Sequence, residues 1–131
     1  MTLFVDASVL VAMLVGEEDG EQLSITVRDA EDPISSAVAQ WEAVTALCRS
    51  YRFPTDAARQ AVADVTEARP IRIVPIGEAE IALALDAYAR YGKGRHPAAL
   101  NMGDCFAYAC AVANDARLLY KGEAFSRTDL A

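Results

Sequence analysis

Four carboxylates lie where a predicted strand ends or a predicted helix begins, in sequence that is otherwise apolar: Asp6, Glu42, Asp104 and Glu123. A carboxylate near a protein core costs free energy unless it is paired, hydrogen-bonded or bound to a cation. Several carboxylates that reach the same edge of a sheet therefore indicate one shared site. Because all of these side chains offer oxygen ligands, we expect the site to bind Mg²⁺ or Mn²⁺.

Asp6 and Asp104 are also in positions that suit helix caps. Asp6 or Ser8 could cap the first helix, and the Ser8 hydroxyl could in addition hold Asp6 or a water on the metal. Asn101 at the N-cap and Asp104 three residues later form a capping pair, and an acid in the first turn complements the helix dipole. Position alone leaves capping and metal binding open for both carboxylates.

Glu42 in isolation is typical of an exposed helical glutamate. Its neighbours on the predicted helix face favour another interpretation, because Ala39, Ala43 and Ala46 are small enough to let that helix approach a sheet closely. The carboxylate would then point along the rim of the core.

Apolar runs alternate with stretches of helical periodicity, which is the pattern of an α/β sheet. The predicted strands are 3–5, 34–36, 71–76 and 118–120. The predicted helices are 8–15, 20–30, 37–51, 55–68, 77–91 and 102–114. We expect a turn at Asp32-Pro33 and a cap at Thr55. Strands separated by helices pair in parallel, and ligands of such sheets bind outside the carboxyl ends of the strands, where Asp6 lies.

The chain has 131 residues, and 53% of them are apolar. This is enough for one α/β core, so we expect a single domain over residues 1–131. The first strand follows Met1 almost directly, without a basic leader or a run long enough to cross a bilayer, which predicts a cytoplasmic protein with no membrane segment. The odd number of cysteines and their apolar surroundings predict buried free thiols.

A formal net charge of −7 argues against broad electrostatic binding to nucleic acid. It suits a basic partner protein. A local basic cluster just before Asp104 is still available to bind phosphate: Arg90, Lys93, Arg95 and His96. The lone His96 excludes a two-histidine acid/base pair, and we interpret it as a partly exposed loop residue.

The candidate residues belong to short motifs spread along the chain. These are Asp6-Ala7-Ser8, Glu42, Arg-His-Pro-Ala at 95–98, Leu-Asn-Met-Gly-Asp-Cys-Phe-Ala-Tyr-Ala at 100–109, Leu-Leu-Tyr-Lys-Gly-Glu-Ala-Phe at 118–125, and Thr128-Asp129. In this order they resemble the PIN-domain ribonucleases of the VapC toxin type, over nearly the whole chain. The resemblance implies a three-layer α/β/α fold with a central parallel sheet.

The resemblance also implies an activity and a set of roles. Members of that family are toxins of type II toxin–antitoxin systems that cut structured RNA such as tRNA or rRNA, are inhibited by a cognate antitoxin and are commonly homodimers. By this resemblance Asp6, Glu42 and Asp104 bind Mg²⁺, Glu123 joins them or orients the attacking water, and Arg95 contacts the RNA backbone.

One departure from the family pattern concerns the fourth carboxylate. After Lys121-Gly122 the family usually carries Asp or Asn-Asp, whereas this chain has Glu123-Ala124, and Glu is longer by one methylene. Asp129 is an alternative that could support the site or hold the tail in place. The departure keeps open a catalytically inactive PIN-like module that binds RNA or protein. A phosphatase with Asp6 as nucleophile ranks third, because Ser8 stands where a second Asp is expected and no glycine-rich phosphate loop follows.

Overall fold

The computed structural model describes residues 1–131 and has a sheet of four parallel strands at its centre. The strands are β1 (Thr2–Val5), β2 (Asp32–Ser36), β3 (Arg72–Val74) and β4 (Arg117–Leu119). Their order in the sheet is β3-β2-β1-β4. The predicted α/β class with a central parallel sheet is confirmed.

Six helices connect and flank these strands. They are α1 (Ala7–Val15), α2 (Gly20–Asp29), α3 (Ala37–Tyr51), α4 (Thr55–Ala68), α5 (Glu78–Tyr91) and α6 (Met102–Ala113). α3 and α4 have the predicted bounds, and the other four helices differ from prediction by one residue at one end. No helix in the chain is both long and apolar enough to cross a membrane.

The predicted turn at Asp32-Pro33 is wrong, because both residues belong to β2. They pair with Thr2 and Leu3 of β1, whereas pairing with β3 begins only at Ile34. Pro33 therefore lies where β2 has a neighbour on one side only, which is a position that tolerates the missing N–H.

Two other boundaries differ for reasons that involve proline. β3 ends at Val74, and Pro75 lacks the N–H that would extend the ladder towards Ile76. The predicted cap at Thr55 is also wrong, since Pro54 occupies the N-cap position of α4 and makes no side-chain cap. Thr55 is the first helical residue, and the α4 N-terminus has no hydroxyl cap.

The core forms around β1, β2 and α6. Phe4, Val5 and Ile34 are fully buried, and α6, which contacts the strands, carries four small buried residues, Ala107, Ala109, Cys110 and Ala111. The cysteines are free, with Cys105 and Cys110 buried and Cys48 half-buried, which agrees with the predicted thiols. Small residues bring α6 close to the sheet, and this places its N-terminus beside the carboxyl end of β1.

Candidate active site

Asp6 is the N-cap of α1, immediately after β1. Its Oδ2 accepts hydrogen bonds from the Ser8 backbone N–H at 3.1 Å and from the Ser8 hydroxyl at 2.6 Å. The residue is only 6% exposed. Burial raises the pKa of Asp6 above its ordinary value, and the two Ser8 donors act in the opposite direction. Asp6 therefore caps a helix while presenting a buried carboxylate at the strand end.

Ser8 connects this carboxylate to the segment that follows β4. Its Oγ donates to Asp6 and accepts a hydrogen bond of 3.0 Å from the backbone N–H of Lys121. Asp6 N–H in turn donates to the Leu119 carbonyl at 3.0 Å. The two neighbouring strand ends are thus joined through one hydroxyl, and this fixes the Asp6 side chain.

Glu42 lies on α3, which begins directly after β2 with Ser36 as its N-cap. The residue is half-buried, and its carboxylate lies against the backbone of Gly103 in the first turn of α6. Burial, followed by the negative charges of Asp6 and Asp104, raises the pKa of Glu42 to about 7. The predicted rim position of this carboxylate agrees with that placement.

Asp104 is the third residue of α6 and forms a capping box with Asn101. Its backbone N–H donates to Asn101 Oδ1 at 2.9 Å, and its Oδ2 accepts from the Asn101 N–H at 3.1 Å. Burial raises the pKa of Asp104 to about 6; the Asn101 N–H lowers it, and the charge of Asp6 raises it further. Capping occupies part of this carboxylate, and Asp104 lines the same cavity as Asp6.

Three of the predicted site carboxylates, Asp6, Glu42 and Asp104, line one cavity of about 320 Å³ at the carboxyl end of the sheet. They come from three different elements, namely the β1–α1 junction, α3 and α6. The donors are all carboxylate oxygens, which hard divalent cations prefer, and a cation would offset the mutual repulsion seen in the raised pKa values. As the side chains stand, no three acidic, histidine or cysteine groups converge to hold a metal, so binding would draw these carboxylates together.

The positive charges at this cavity belong to Arg49 and Lys121. The Lys121 ammonium forms ion pairs with Glu17, which also lines the cavity, and with Asp19 at 2.9 Å. Arg49 is exposed, and its Nε donates to the Thr45 carbonyl at 3.4 Å within α3.

Ser8 also lines this cavity, whereas Glu123, Arg95 and Asp129 do not. Glu123 is exposed, although its neighbour Gly122 lines the cavity mouth. The Arg95 guanidinium lies over the ring of Tyr88 on α5, 5.1 Å from the ring centroid. Asp129 accepts a hydrogen bond of 2.7 Å from the Tyr108 hydroxyl, at the tail.

His96 lies in the loop before α6, and its side chain contacts residues in and next to that loop. Its Nδ1 accepts a hydrogen bond of 3.0 Å from the Ala98 N–H, and its ring meets Tyr91 edge-on. This position agrees with the interpretation of His96 as a partly exposed loop residue.

Sequence reasoning missed Glu17, Arg49 and Gly103 as parts of the site. A signal for Arg49 was present, because it follows Glu42 by seven residues and two helical turns bring both to one face. Gly103 could have been noted as a glycine inside a predicted helix, where it costs stability unless something approaches closely. No sequence pattern signals Glu17, since only the pairing of β1 with β4 brings it to Lys121.

The comparisons with known proteins agree with this geometry. Residues 3–130 match the family model of the PIN domain. A VapC ribonuclease of Rhizobium meliloti (strain 1021) is 42% identical, over 97% of this chain and 98% of the relative. A ribonuclease VapC of Mycolicibacterium smegmatis is 40% identical, over 98% of both chains.

A solved structure extends the comparison to the fold. It is that of Mycobacterium tuberculosis VapC20, described as a toxin that cleaves the sarcin-ricin loop; it superposes with a TM-score of 0.69 and 16% identity, over 95% of this chain and 92% of that one. Sequence and fold thus agree, and the chain belongs to the PIN-domain family, among the VapC ribonucleases.

Proposed function

We propose that this chain is a metal-dependent endoribonuclease, the toxin of a type II toxin–antitoxin system, which hydrolyses phosphodiester bonds in structured RNA such as tRNA or rRNA. The observation that carries the proposal is that Asp6, Glu42 and Asp104 line one cavity. The relatives named ribonucleases support the same activity.

The residues present fit an Mg²⁺ site, with Mn²⁺ as an alternative of similar ligand preference. Asp6, Glu42 and Asp104 would bind the cation. When bound, a divalent cation lowers the pKa of water and offsets charge that develops on the phosphate. Ser8 keeps Asp6 in place through the 2.6 Å hydrogen bond, so that carboxylate needs little reorganisation on binding.

The sequence-based roles of Glu123 and Asp129 stay part of this proposal. Glu123 follows a residue that lines the cavity mouth and has the reach to assist from outside. Asp129 supports the fold through Tyr108, which lies on the helix that carries Asp104. These two residues act at the edge of the site, whereas the three buried or half-buried carboxylates form its centre.

The proposed partners are a cognate antitoxin and a second copy of the chain. The net charge of −7 suits a basic antitoxin segment. α5 exposes three apolar side chains at helical spacing, Ile81 (42%), Leu85 (60%) and Tyr88 (44%), a stripe that a second copy could cover. A toxin that acts on tRNA or rRNA would work in the cytoplasm.

The experiment that tests this function is cleavage of purified tRNA and rRNA by the full chain with Mg²⁺, with Mn²⁺ and with EDTA. We expect discrete fragments with either metal, none with EDTA, and none from Asp104→Asn. RNA that stays intact under all conditions while still binding the protein would favour the inactive binding module.

A further inference from the structure

The proposed site has an electrostatic requirement that its carboxylates cannot meet. RNA phosphates are anionic and are repelled by Asp6, Glu42 and Asp104, and a cation bound there offsets only the charge at the bond that is cut. Phosphates next to that bond need positively charged side chains at the cavity. Of the 12 lysines and arginines in the chain, Arg49 and Lys121 line it.

Lys121 is already engaged by protein carboxylates. Its ammonium pairs with Glu17 and Asp19, and its side chain is 33% exposed. An RNA phosphate would have to compete with both acids for it.

Arg49 makes no ion pair with a protein carboxylate, although its charge acts on Glu42 and partly opposes the rise in the pKa of that residue. No carboxylate lies within 4.0 Å of its guanidinium, and its single hydrogen bond uses Nε. The two terminal nitrogens of the fork therefore have no protein partner. A guanidinium fork matches two phosphate oxygens better than an ammonium does.

The position of Arg49 on α3 suits this role. It follows Glu42 by two helical turns, and Ala46, which also lines the cavity, lies between them. A side chain as small as alanine leaves the space between Glu42 and Arg49 open. RNA lying along α3 would meet the carboxylates at one end of this face and the guanidinium at the other.

We infer that Arg49 is a substrate-binding residue that holds a phosphate of the RNA beside the bond to be cut; this rests on the proposed function. Arg95, the candidate from sequence, lies over Tyr88 and outside the cavity. Replacing either arginine by alanine therefore distinguishes the two positions. Arg49→Ala should weaken RNA binding, whereas Arg95→Ala should not.

Binding is measured by fluorescence anisotropy of a labelled hairpin RNA, with Mg²⁺, in the Asp104→Asn background to prevent cleavage. Adding Arg49→Ala should weaken binding about tenfold or more, the range of a charge-assisted hydrogen bond. It should also reduce the slope of log K against log[salt] by about 0.7, the value of one phosphate contact on a single strand. Arg49→Lys should recover part of the affinity.

Arg59, an exposed arginine outside this cavity, provides the control Arg59→Ala, and Arg95→Ala tests the RNA contact that the sequence predicts for Arg95. Both should leave affinity and salt slope unchanged. In the otherwise unmodified chain, Arg49→Ala should raise KM more than it lowers kcat, and the rise in Tm on adding Mg²⁺ should remain.

The inference and the proposed function fail in different ways. Wild-type chain that cleaves RNA, together with unchanged binding and salt slope in Arg49→Ala, would overturn the role of Arg49 alone. An equal loss in Arg59→Ala would also overturn it, since the effect would then be one of overall charge. Absence of metal-dependent cleavage by the wild type would overturn the proposed function, while anisotropy would still report on Arg49.

Discussion

The Glu42 carboxylate lies directly against the α carbon of Gly103, across the contact between α3 and α6. A Cβ built on Gly103 would overlap both carboxylate oxygens and the Cδ of Glu42. Gly103 does not have a positive φ, so its need for glycine is one of space and not of backbone conformation. The helix that carries Asp104 thus accommodates the Glu42 side chain only because residue 103 has none.

Gly103→Ala should therefore displace Glu42 and disturb the site. The atoms that meet the new Cβ are the end of a flexible side chain, so Glu42 can move aside at little cost in stability, but a misplacement of about 1 Å can cost about 100-fold in rate. We expect RNA cleavage to fall by at least tenfold and the Mg²⁺-induced rise in Tm to shrink. Steady-state cleavage and thermal melts with and without Mg²⁺ measure both effects.

Gly77→Ala is the matched control, because its Cβ would meet only Glu80 Oε1 at an ordinary 3.5 Å. Shortening Glu42 should relieve the overlap, so the losses of cleavage in Gly103→Ala and Glu42→Asp should be less than additive when the two are combined. Additive losses in the double variant would contradict a direct contact.

The fold was largely predictable because its signals are local. The bounds of α3 follow from Ser36 as a cap and from Pro54 shortly after its end, and both act within a few residues. β2 was harder, since Pro33 reads as a turn in the sequence. Pro33 is acceptable inside β2 only because β3 pairs with β2 from Ile34 onwards, which leaves Pro33 without a neighbour on that side.

The site was predictable to the extent that its residues lie at strand ends and helix starts. Asp6 and Asp104 satisfy local capping rules and also reach the cavity, so local and functional signals coincide. Arg49 and Glu17 line the cavity because α1, α3 and the segment after β4 pack together. A single sequence gives no information on the distances between these elements. For the same reason, the closeness of Arg95 to Asp104 in sequence predicts a place at the cavity, whereas the Arg95 guanidinium lies over Tyr88.

Asp6→Asn and Asp104→Asn should each abolish RNA cleavage and growth inhibition while the fold remains intact. Each removes a charge from a group of carboxylates that repel one another, so Tm in EDTA should equal or exceed that of wild type. Circular dichroism melts and gel-based cleavage assays test this pair of outcomes. Cleavage at the wild-type rate by either variant would remove its residue from the proposed metal site.

Stability of the metal-free protein should fall as pH rises towards neutrality. The pKa of Glu42 is raised from 4.5 to about 7, and that of Asp104 from 3.8 to about 6. The folded state therefore retains protons that the unfolded chain has released. The free energy of unfolding of wild type, compared with that of Glu42→Gln, should be highest below about pH 4.5 and should fall as pH rises through about 7.

Melts in EDTA across this pH range, for wild type and Glu42→Gln, measure the difference. The Mg²⁺-induced rise in Tm should grow over the same interval, because the cation binds the ionised carboxylates. A difference between the two proteins that does not change with pH would show that Glu42 is not protonated in the folded state.

Glu123→Gln should affect cleavage less than Asp104→Asn, because Glu123 is exposed and outside the residues that line the cavity. We expect a decrease of less than about tenfold, in keeping with a residue that assists from solvent. Glu123→Asp should keep most of the activity. A loss as deep as that of Asp104→Asn, together with weaker Mg²⁺ dependence, would place Glu123 among the metal ligands.

Asp129→Ala should weaken the attachment of the tail without removing the site. Asp129 accepts the 2.7 Å hydrogen bond from the Tyr108 hydroxyl, one helical turn along α6 from Asp104, and lies 3.7 Å from the Arg90 guanidinium. Neither Tyr108 nor Asp129 lines the cavity. Loss of this hydrogen bond should lower the free energy of unfolding by about 1 kcal/mol, a modest cost because Phe125 still anchors the tail in the core.

Denaturant unfolding of Asp129→Ala, Tyr108→Phe and the double variant should give a coupling of about 1 kcal/mol between the two residues. Asp86→Ala, which removes an exposed carboxylate from α5, is the control and should leave stability unchanged. Mg²⁺-dependent cleavage by Asp129→Ala should stay within about threefold of wild type, since this part-buried hydrogen bond lies outside the residues that line the cavity. If cleavage is lost while the unfolding transition is preserved, Asp129 acts on the site itself and completes it in place of Glu123.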